Sequence, residues 1–481
     1  MSDPSAHTAE YGFARATELL ADIQSGELLS RELVEALLTR INEIDDAVDG
    51  IQSMIAINND VLEQADHADK NPTDKPLHGL PIVIKDNIEA LGLPATAGSL
   101  ALAGRPVLKD APLVQRLRDA GALILGATNL SEWANIRSSH STSGWSAVGG
   151  LTANPWKYSH NAGGSSSGSG AAVVAGLAPL AVGSETDGSI VCPASLNGCV
   201  GIKPTVGLVS RHGMIPIANS MDSPGPMGRN VEDVALLLEV LSGVRNLVEL
   251  CFDKSALRVG VVHQWRTGHE KTNEIFEYQV SRLQQAGIRI KDIDYVPERT
   301  EDLVLDEVTI LLSELNEDLT TYLQQRNGEG VRSLADVVQF NQQHADAELS
   351  HFGQELLEQA LTTGGRDDKY RAARERALHW AVEQVLQPSI EGVDVLIGPT
   401  YGPAWKSALG EGDRYEDAGW ISSAPAIAGW PIGCLPMGFV DGLPIGMGVV
   451  ARPRDEAGLV RAMARIEQVL QIGDLRPTFI R

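Results

Sequence analysis

Two serine-bearing turns carry the densest chemistry in the sequence. One, at 163–168, is Gly-Gly-Ser-Ser-Ser-Gly; the other, at 183–189, is Gly-Ser-Glu-Thr-Asp-Gly-Ser. Acyl transfer needs a nucleophile, a base to take its proton and backbone N–H groups to hold the oxyanion. Ser189 follows Thr186, Asp187 and Gly188, a turn whose N–H groups can converge on one point. Taken singly, each serine reads as a cap or turn hydroxyl; only the constellation points to chemistry. A phosphate-binding loop would need a Gly-Lys-Ser/Thr ending that is missing here, and no G-x-S-x-G elbow contains Ser189.

A base must come from elsewhere. His140 and His160 fall in loops near the serines, but neither comes with an obvious orienting acid. Lys85 closes the apolar run Leu80-Pro-Ile-Val-Ile84. Desolvation at such a place disfavours the ammonium and lowers the pKa, as a lysine base requires. The plainer alternative is a lysine that reaches solvent or pairs with Asp86. No HExxH or comparable spacing is present, so neither a metal nor another cofactor is expected.

The elements that must position these groups follow from periodicity. The apolar stretch 171–182 is expected to be one helix-length element joining the two turns. The strand at 80–84, the helix at 112–120 and the strand at 123–125 give the pattern of an α/β sheet, with Lys85 at a strand end where ligands usually bind. Ser30 is the expected N-cap of a helix through Leu33, Val34, Leu37, Leu38, Ile41 and Ile44, and an earlier helix at 17–23 stops near Gly26. Residues 138–159 have loop composition, 231–241 helical and 257–262 strand character. From about 272 to 387 glycine thins out and helices dominate, as at 303–323 and 333–341, the latter opened by Ser333 and Asp336. Strands return at 393–397 and 443–450, and Asp455 caps a last helix to 470. We expect a single domain over 1–481 with a helical insertion at about 270–390.

Composition narrows the partners. Of 481 residues, 43% are hydrophobic, ordinary for a globular chain, and the formal charge of −24 argues against nucleic acid and anionic membranes. Four cysteines without a CxxC pair predict free, mostly buried thiols. No apolar run approaches the roughly 20 residues that span a bilayer. The opening MSDPSAHTAEYGF lacks the pattern of a signal peptide, so a cytoplasmic location is expected.

At three places the chain resembles the amidase signature family. His78-Gly-Leu-Pro-Ile-Val-Ile-Lys85-Asp86-Asn87 is similar to its lysine motif. The run 163–168, with Gly183-Ser-Glu-Thr-Asp-Gly-Ser-Ile190 and Pro193-Ala194, is similar to its serine–glycine core. The spacing of Ser165 and Ser189 is also the family's, and the likeness extends to Gly201-Ile-Lys-Pro-Thr-Val-Gly-Leu208 and Asp441-Gly-Leu-Pro-Ile-Gly446. Within the family the likeness is greatest to bacterial peptide amidases, which remove the C-terminal amide of peptides. It rests on SETDGSIVCPA, on Ser131-Glu-Trp-Ala-Asn135, and on Leu334-Ala-Asp336 through Gln354-Glu-Leu-Leu357. The commoner core is T-D-T-G-G-S-I-R, from which Glu185, Asp187 and Val191 depart.

The resemblance implies a large mixed, twisted β-sheet covered by helices on both faces. It also implies an amide hydrolase with Ser189 as nucleophile, Ser165 as a bridging serine after a cis Gly164–Ser165 bond, and Lys85 as base. The backbone of Thr186, Asp187 and Gly188 would hold the oxyanion. The acyl pocket is expected near the 133–145 loop, the 221–222 region and the helical insertion, with Trp133, Ser139, Met221 and Asp222 as candidate substrate contacts. A monomer or homodimer acting on a small or peptide amide is expected. The alternatives are a general aliphatic or aryl amidase, an amidotransferase-type subunit, or a non-catalytic scaffold.

Overall fold

The computed structural model describes residues 10–414, 417–472, 475–477 and 479. Residues 1–9, which carry most of the signal-peptide reading, lie outside them. The described residues form strands β1 (Met54–Ile57), β2 (Pro81–Lys85), β3 (Leu123–Thr128), β4 (Trp145–Ser146), β5 (Gly150–Leu151), β6 (Leu180–Glu185), β7 (Val200–Lys203), β8 (Ser223–Gly228), β9 (Arg258–Val262), β10 (Arg289–Ile293), β11 (Val395–Pro399), β12 (Ile432–Val440) and β13 (Leu443–Val450). Eleven build one mixed sheet in the order β1-β3-β2-β6-β8-β7-β12-β13-β11-β9-β10, and β4 and β5 pair separately.

The central strands are buried on both faces, so their sequences are continuous apolar runs without alternation. Side chains still alternate in space. In β11, Leu396 joins one core cluster while Val395 and Ile397 join another. In β13, Met447 and Val449 share the second cluster and Val450 enters the first. Helices therefore cover the sheet on each side.

Topology brings the chemistry together. β2 runs parallel to both β3 and β6, with Ile84 beside Val182. Parallel neighbours end at the same edge, and adjacent strands lie only about 4.8 Å apart. Lys85, last in β2, therefore meets the turn that follows β6.

Several local expectations change. The stretch 171–182 is not one helix: a short helix, Ser167–Val174, turns at Gly176 and becomes β6. A fully buried Ala/Val run has no polar face, so helix and strand look alike in sequence. Ser30 is the first residue of its helix (Ser30–Arg40) rather than its cap. Asp69 serves that end instead, accepting the N–H groups of Ser30 at 2.7 Å and Arg31 at 3.1 Å. Within the mainly helical 272–387 stretch, β10 adds an edge strand pairing with β9, and β1, β8 and β12 are further strands beyond those read from sequence. By contrast, Ser333 and Asp455 accept from the third N–H of their helices as expected, and Gly26 ends its helix at φ 80°.

The helical segment is tied to the loop after β3 by a buried ion cluster. Arg137 donates to Glu132 at 2.8 Å and to the Glu348 carbonyl, with Phe352 4.1 Å beneath its guanidinium. The four cysteines are free and buried. Among the described residues no helix is long and apolar enough to cross a membrane, and no cluster of potential metal ligands occurs.

Candidate active site

The three consecutive serines have different partners. Ser165 Oγ is 2.8 Å from Lys85 Nζ. Ser166 Oγ accepts from the N–H of Ser184 and donates to its carbonyl, stitching the turn to β6. Ser167 Oγ donates to the Gly163 carbonyl within its own helix start. The peptide bond before Ser165 is cis.

Lys85 is completely buried. Its Nζ also contacts Ser184 Oγ at 2.9 Å and the Ser184 carbonyl at 3.2 Å, while Asn87 Nδ2 donates to the same hydroxyl at 2.9 Å. Asp86 is no counter-ion, since its carboxylate accepts from the N–H and hydroxyl of Thr96. Burial brings Lys85 down to about 7, against the opposing pull of Asp222 and Glu185. Near neutrality much of it is therefore an amine.

Ser189 lies in the sharp turn between β6 and the helix Val191–Asn197. Glu185 holds that turn, its Oε2 accepting from the N–H of Ile190 at 2.7 Å and Val191 at 2.9 Å. Asp222 braces the other side, accepting the Thr186 hydroxyl at 2.6 Å and the N–H groups of Ile217 and Ala218. Gly188 has φ 79°, and a Cβ there would come within 2.6 Å of the Tyr401 hydroxyl. No carbonyl among the described residues accepts from the N–H of Asp187, Gly188 or Ser189.

A cavity of about 410 Å³ contains Ser165, Thr186, Asp187 and Ser189. Its far walls come from much later in the chain: Arg299, the helix Glu301–Gln325 through Val304, Glu307, Val308 and Leu311, and the segment 418–423 with Trp420. Cys192 also faces it, with a thiol that burial pushes up to about 12.

The proposed substrate contacts are placed differently. Trp133 is buried beside the cavity, but Ala134, Asn135 and Ile136 line it, after a left-handed run with φ of 50°, 54° and 76° at 133–135. Ser139 is exposed and held by Glu355. Met221 and Asp222 are buried and outside the cavity lining, Asp222 acting through Thr186. His140 is exposed and His160 half-buried; neither lines the cavity. Ser184, Arg299 and Glu307 went unnoticed in the sequence. Ser184 had a signal of its own, as a polar residue on a buried strand one position before Glu185.

A mixed sheet with a buried lysine on a serine, beside a serine at a strand-to-helix turn, defines a class of amide hydrolases. The chain belongs to the amidase signature family, the family model described as Amidase matching residues 32–460. It is an enzyme of that family, an amide hydrolase. The peptide amidase of Stenotrophomonas maltophilia has a similar structure, with TM-score 0.91 and 39% identity over 97% of this chain and 98% of that one. A peptide amidase bound to the competitive inhibitor chymostatin gives 0.92 and 39%, covering 97% and 99%. In sequence, a glutamyl-tRNA(Gln) amidotransferase component from Methanosarcina acetivorans is 34% identical over 89% of this chain and 92% of that protein.

Proposed function

We propose that the protein releases ammonia from the C-terminal carboxamide of peptides through an acyl-enzyme on Ser189, with Ser165 as proton relay and Lys85 as base. The observation that carries this reading is the buried Lys85 Nζ 2.8 Å from the Oγ of Ser165, a residue that lines the cavity together with Ser189.

The surroundings of Nζ suit an amine. Two N–H bonds go to the Ser184 carbonyl and hydroxyl, which leaves the lone pair for the Ser165 O–H. Ser165 passes its proton to Lys85 and takes that of Ser189, whose Oγ bonds to the carbonyl carbon. The N–H groups of the 186–189 turn hold the oxyanion. As the C–N bond breaks, the nitrogen takes a proton back through Ser165 and leaves as ammonia. Water then cleaves the ester by the same relay, and the carboxylate departs.

The peptide-amide substrate is supported by the likeness to the two peptide amidases. Ser189→Ala is expected to lower ammonia release by about a millionfold and to abolish labelling by a fluorophosphonate, with the fold unchanged by circular dichroism. Comparable turnover in that variant removes Ser189 from the role. A second reading, a component of a transfer-RNA amidotransferase, draws on the identity to the Methanosarcina protein. Co-purification with partner proteins, and activity only in their presence, would favour it.

A further inference from the structure

A second cavity, of about 600 Å³, lies apart from the catalytic one and shares no lining residue with it. Two elements run between them. The helix Glu301–Gln325 lines the catalytic cavity as far as Leu311 and the second one from Asp318 onward. The segment 211–217 does likewise, with Arg211 and Met214 on the second cavity and Ile217 on the first. That segment is fixed in place, since the Ile215 N–H donates to the Asn87 carbonyl at 2.8 Å and the Gly213 carbonyl accepts from the N–H of Glu89.

The charge here runs against that of the whole chain. In a protein of net charge −24, Lys109, Arg211 and Arg326 line this cavity, with Glu89 and Asp318 to oppose them. Both carboxylates are already engaged: Glu89 accepts the Tyr322 hydroxyl at 2.9 Å, and Asp318 pairs with Arg366 at 2.7 Å. Arg326 spends its Nη groups on the carbonyls of Pro94, Ala95 and Arg105 and on the Tyr322 oxygen. Arg105 and Arg332 likewise donate to main-chain carbonyls between 326 and 331. Burial, with the neighbouring charges of Arg326 and Arg332, lowers the pKa of Arg105.

Arg211 is the cation left over. Its side chain is half-buried and makes no hydrogen bond or ion pair among the described residues. Nη1 is closed off from solvent, so Nε and Nη2 are the donors that a molecule in the cavity can reach. A guanidinium partly stripped of water and without a counter-charge is unfavourable, and a carboxylate or phosphate matches its planar fork. Val107, Leu108, Met214 and Pro216 give the same cavity an apolar side, where Leu108 leaves 59% of its surface in solvent.

We propose that this cavity is a second ligand site, separate from the catalytic one, for a small organic anion. Arg211 takes the carboxylate or phosphate head through Nε and Nη2, with Lys109 and His212 as further donors. The apolar body of the ligand covers Leu108 and Met214.

Calorimetric titration of the full chain with hexyl phosphate, hexanoate and hexanol at low salt tests it. One site per chain is expected for at least one of the anions, with hexanol tenfold or more weaker. Arg211→Gln, uncharged and without the fork, should weaken that anion tenfold or more with the fold unchanged by circular dichroism. Lys109→Gln, at an exposed position, should weaken it about threefold, and it decides the matter if Arg211→Gln does not fold. Trp420→Ala alters the catalytic cavity alone and should leave the affinity as it is. Tighter hexyl phosphate identifies the occupant as a phosphate ester and tighter hexanoate as a carboxylic acid; either upholds the site. The proposal falls if neither anion binds at millimolar concentration, or if hexanol binds as tightly as they do. It falls equally if both charge variants keep the parent affinity, or if Trp420→Ala abolishes binding.

Discussion

Two lysines in this protein end buried strands, and they meet different kinds of partner. Lys85 closes β2 and Lys203 closes β7, and both are completely shielded from solvent. Burial brings the first down to about 7 and the second to about 8. Their partners differ. Lys85 meets two hydroxyls and one carbonyl, and a hydroxyl can return a proton. Lys203 donates to the carbonyls of Trp430 at 2.6 Å and Pro204 at 3.3 Å, groups that can only accept. It also faces the carboxyls of Glu185 and Glu456, which lean on its charge. If Lys85 is the base we propose, desolvation alone does not make one; a partner with a transferable proton, beside a cavity, is also needed.

The most direct way to undo this contrast is to exchange each lysine for methionine. Lys85→Met should cost about 10³-fold or more in kcat while the protein stays folded. Lys203→Met should keep most of its turnover where it is folded, but lose about 2–4 kcal/mol of stability in urea, because two buried carbonyls lose their donor. If both variants behave alike in the two assays, the distinction is void. In the parent, kcat/KM should fall about tenfold per pH unit below about 7 as Lys85 gains a proton. A profile flat from pH 5 to 9 would argue for a different base.

A smaller effect bears on the same point. Ser184→Ala removes one acceptor from Lys85 and leaves Asn87 unpaired. Turnover should drop about tenfold, the size of one hydrogen bond of about 1.5 kcal/mol, and the acid limb of the pH profile should move. A loss of stability without a shifted limb would make Ser184 merely structural. A further signature is thermodynamic. Both lysines titrate below the ordinary 10.5 when folded, so between the two values the unfolded chain holds protons that the folded one does not. Their contribution to stability thus grows as pH rises from about 7 to 10.5, by up to about 1.4 kcal/mol per unit for each. Lys85→Met should flatten that slope.

Much of this was legible in the sequence, for particular reasons. Lys85, Ser165 and Ser189 stand in short motifs whose glycines and strand ends announce tight turns, and the structure brings Lys85 and Ser165 into contact. The sheet was visible where apolar runs are bounded by polar residues, as at β2 and β3. It was hidden at β10, an exposed edge whose Arg-Ile-Lys-Asp-Ile has little apolar signal, and at β8, where Pro224, Gly225 and Pro226 disguise a buried strand. Arg299 and Glu307 were invisible for another reason. Their meeting with Asp187 spans more than a hundred positions, and no local pattern encodes a contact of that range.

The cavity joins a floor supplied before residue 190 to walls that come largely from 299–423. On the proposed reading, the reacting groups come from the earlier part of the gene, while most of the wall around the acyl chain comes from the later part. A lineage can revise the later part and acquire a new substrate while the earlier part is inherited intact. Recombination between relatives near residue 290 would, by the same logic, shuffle appetites without disturbing the chemistry.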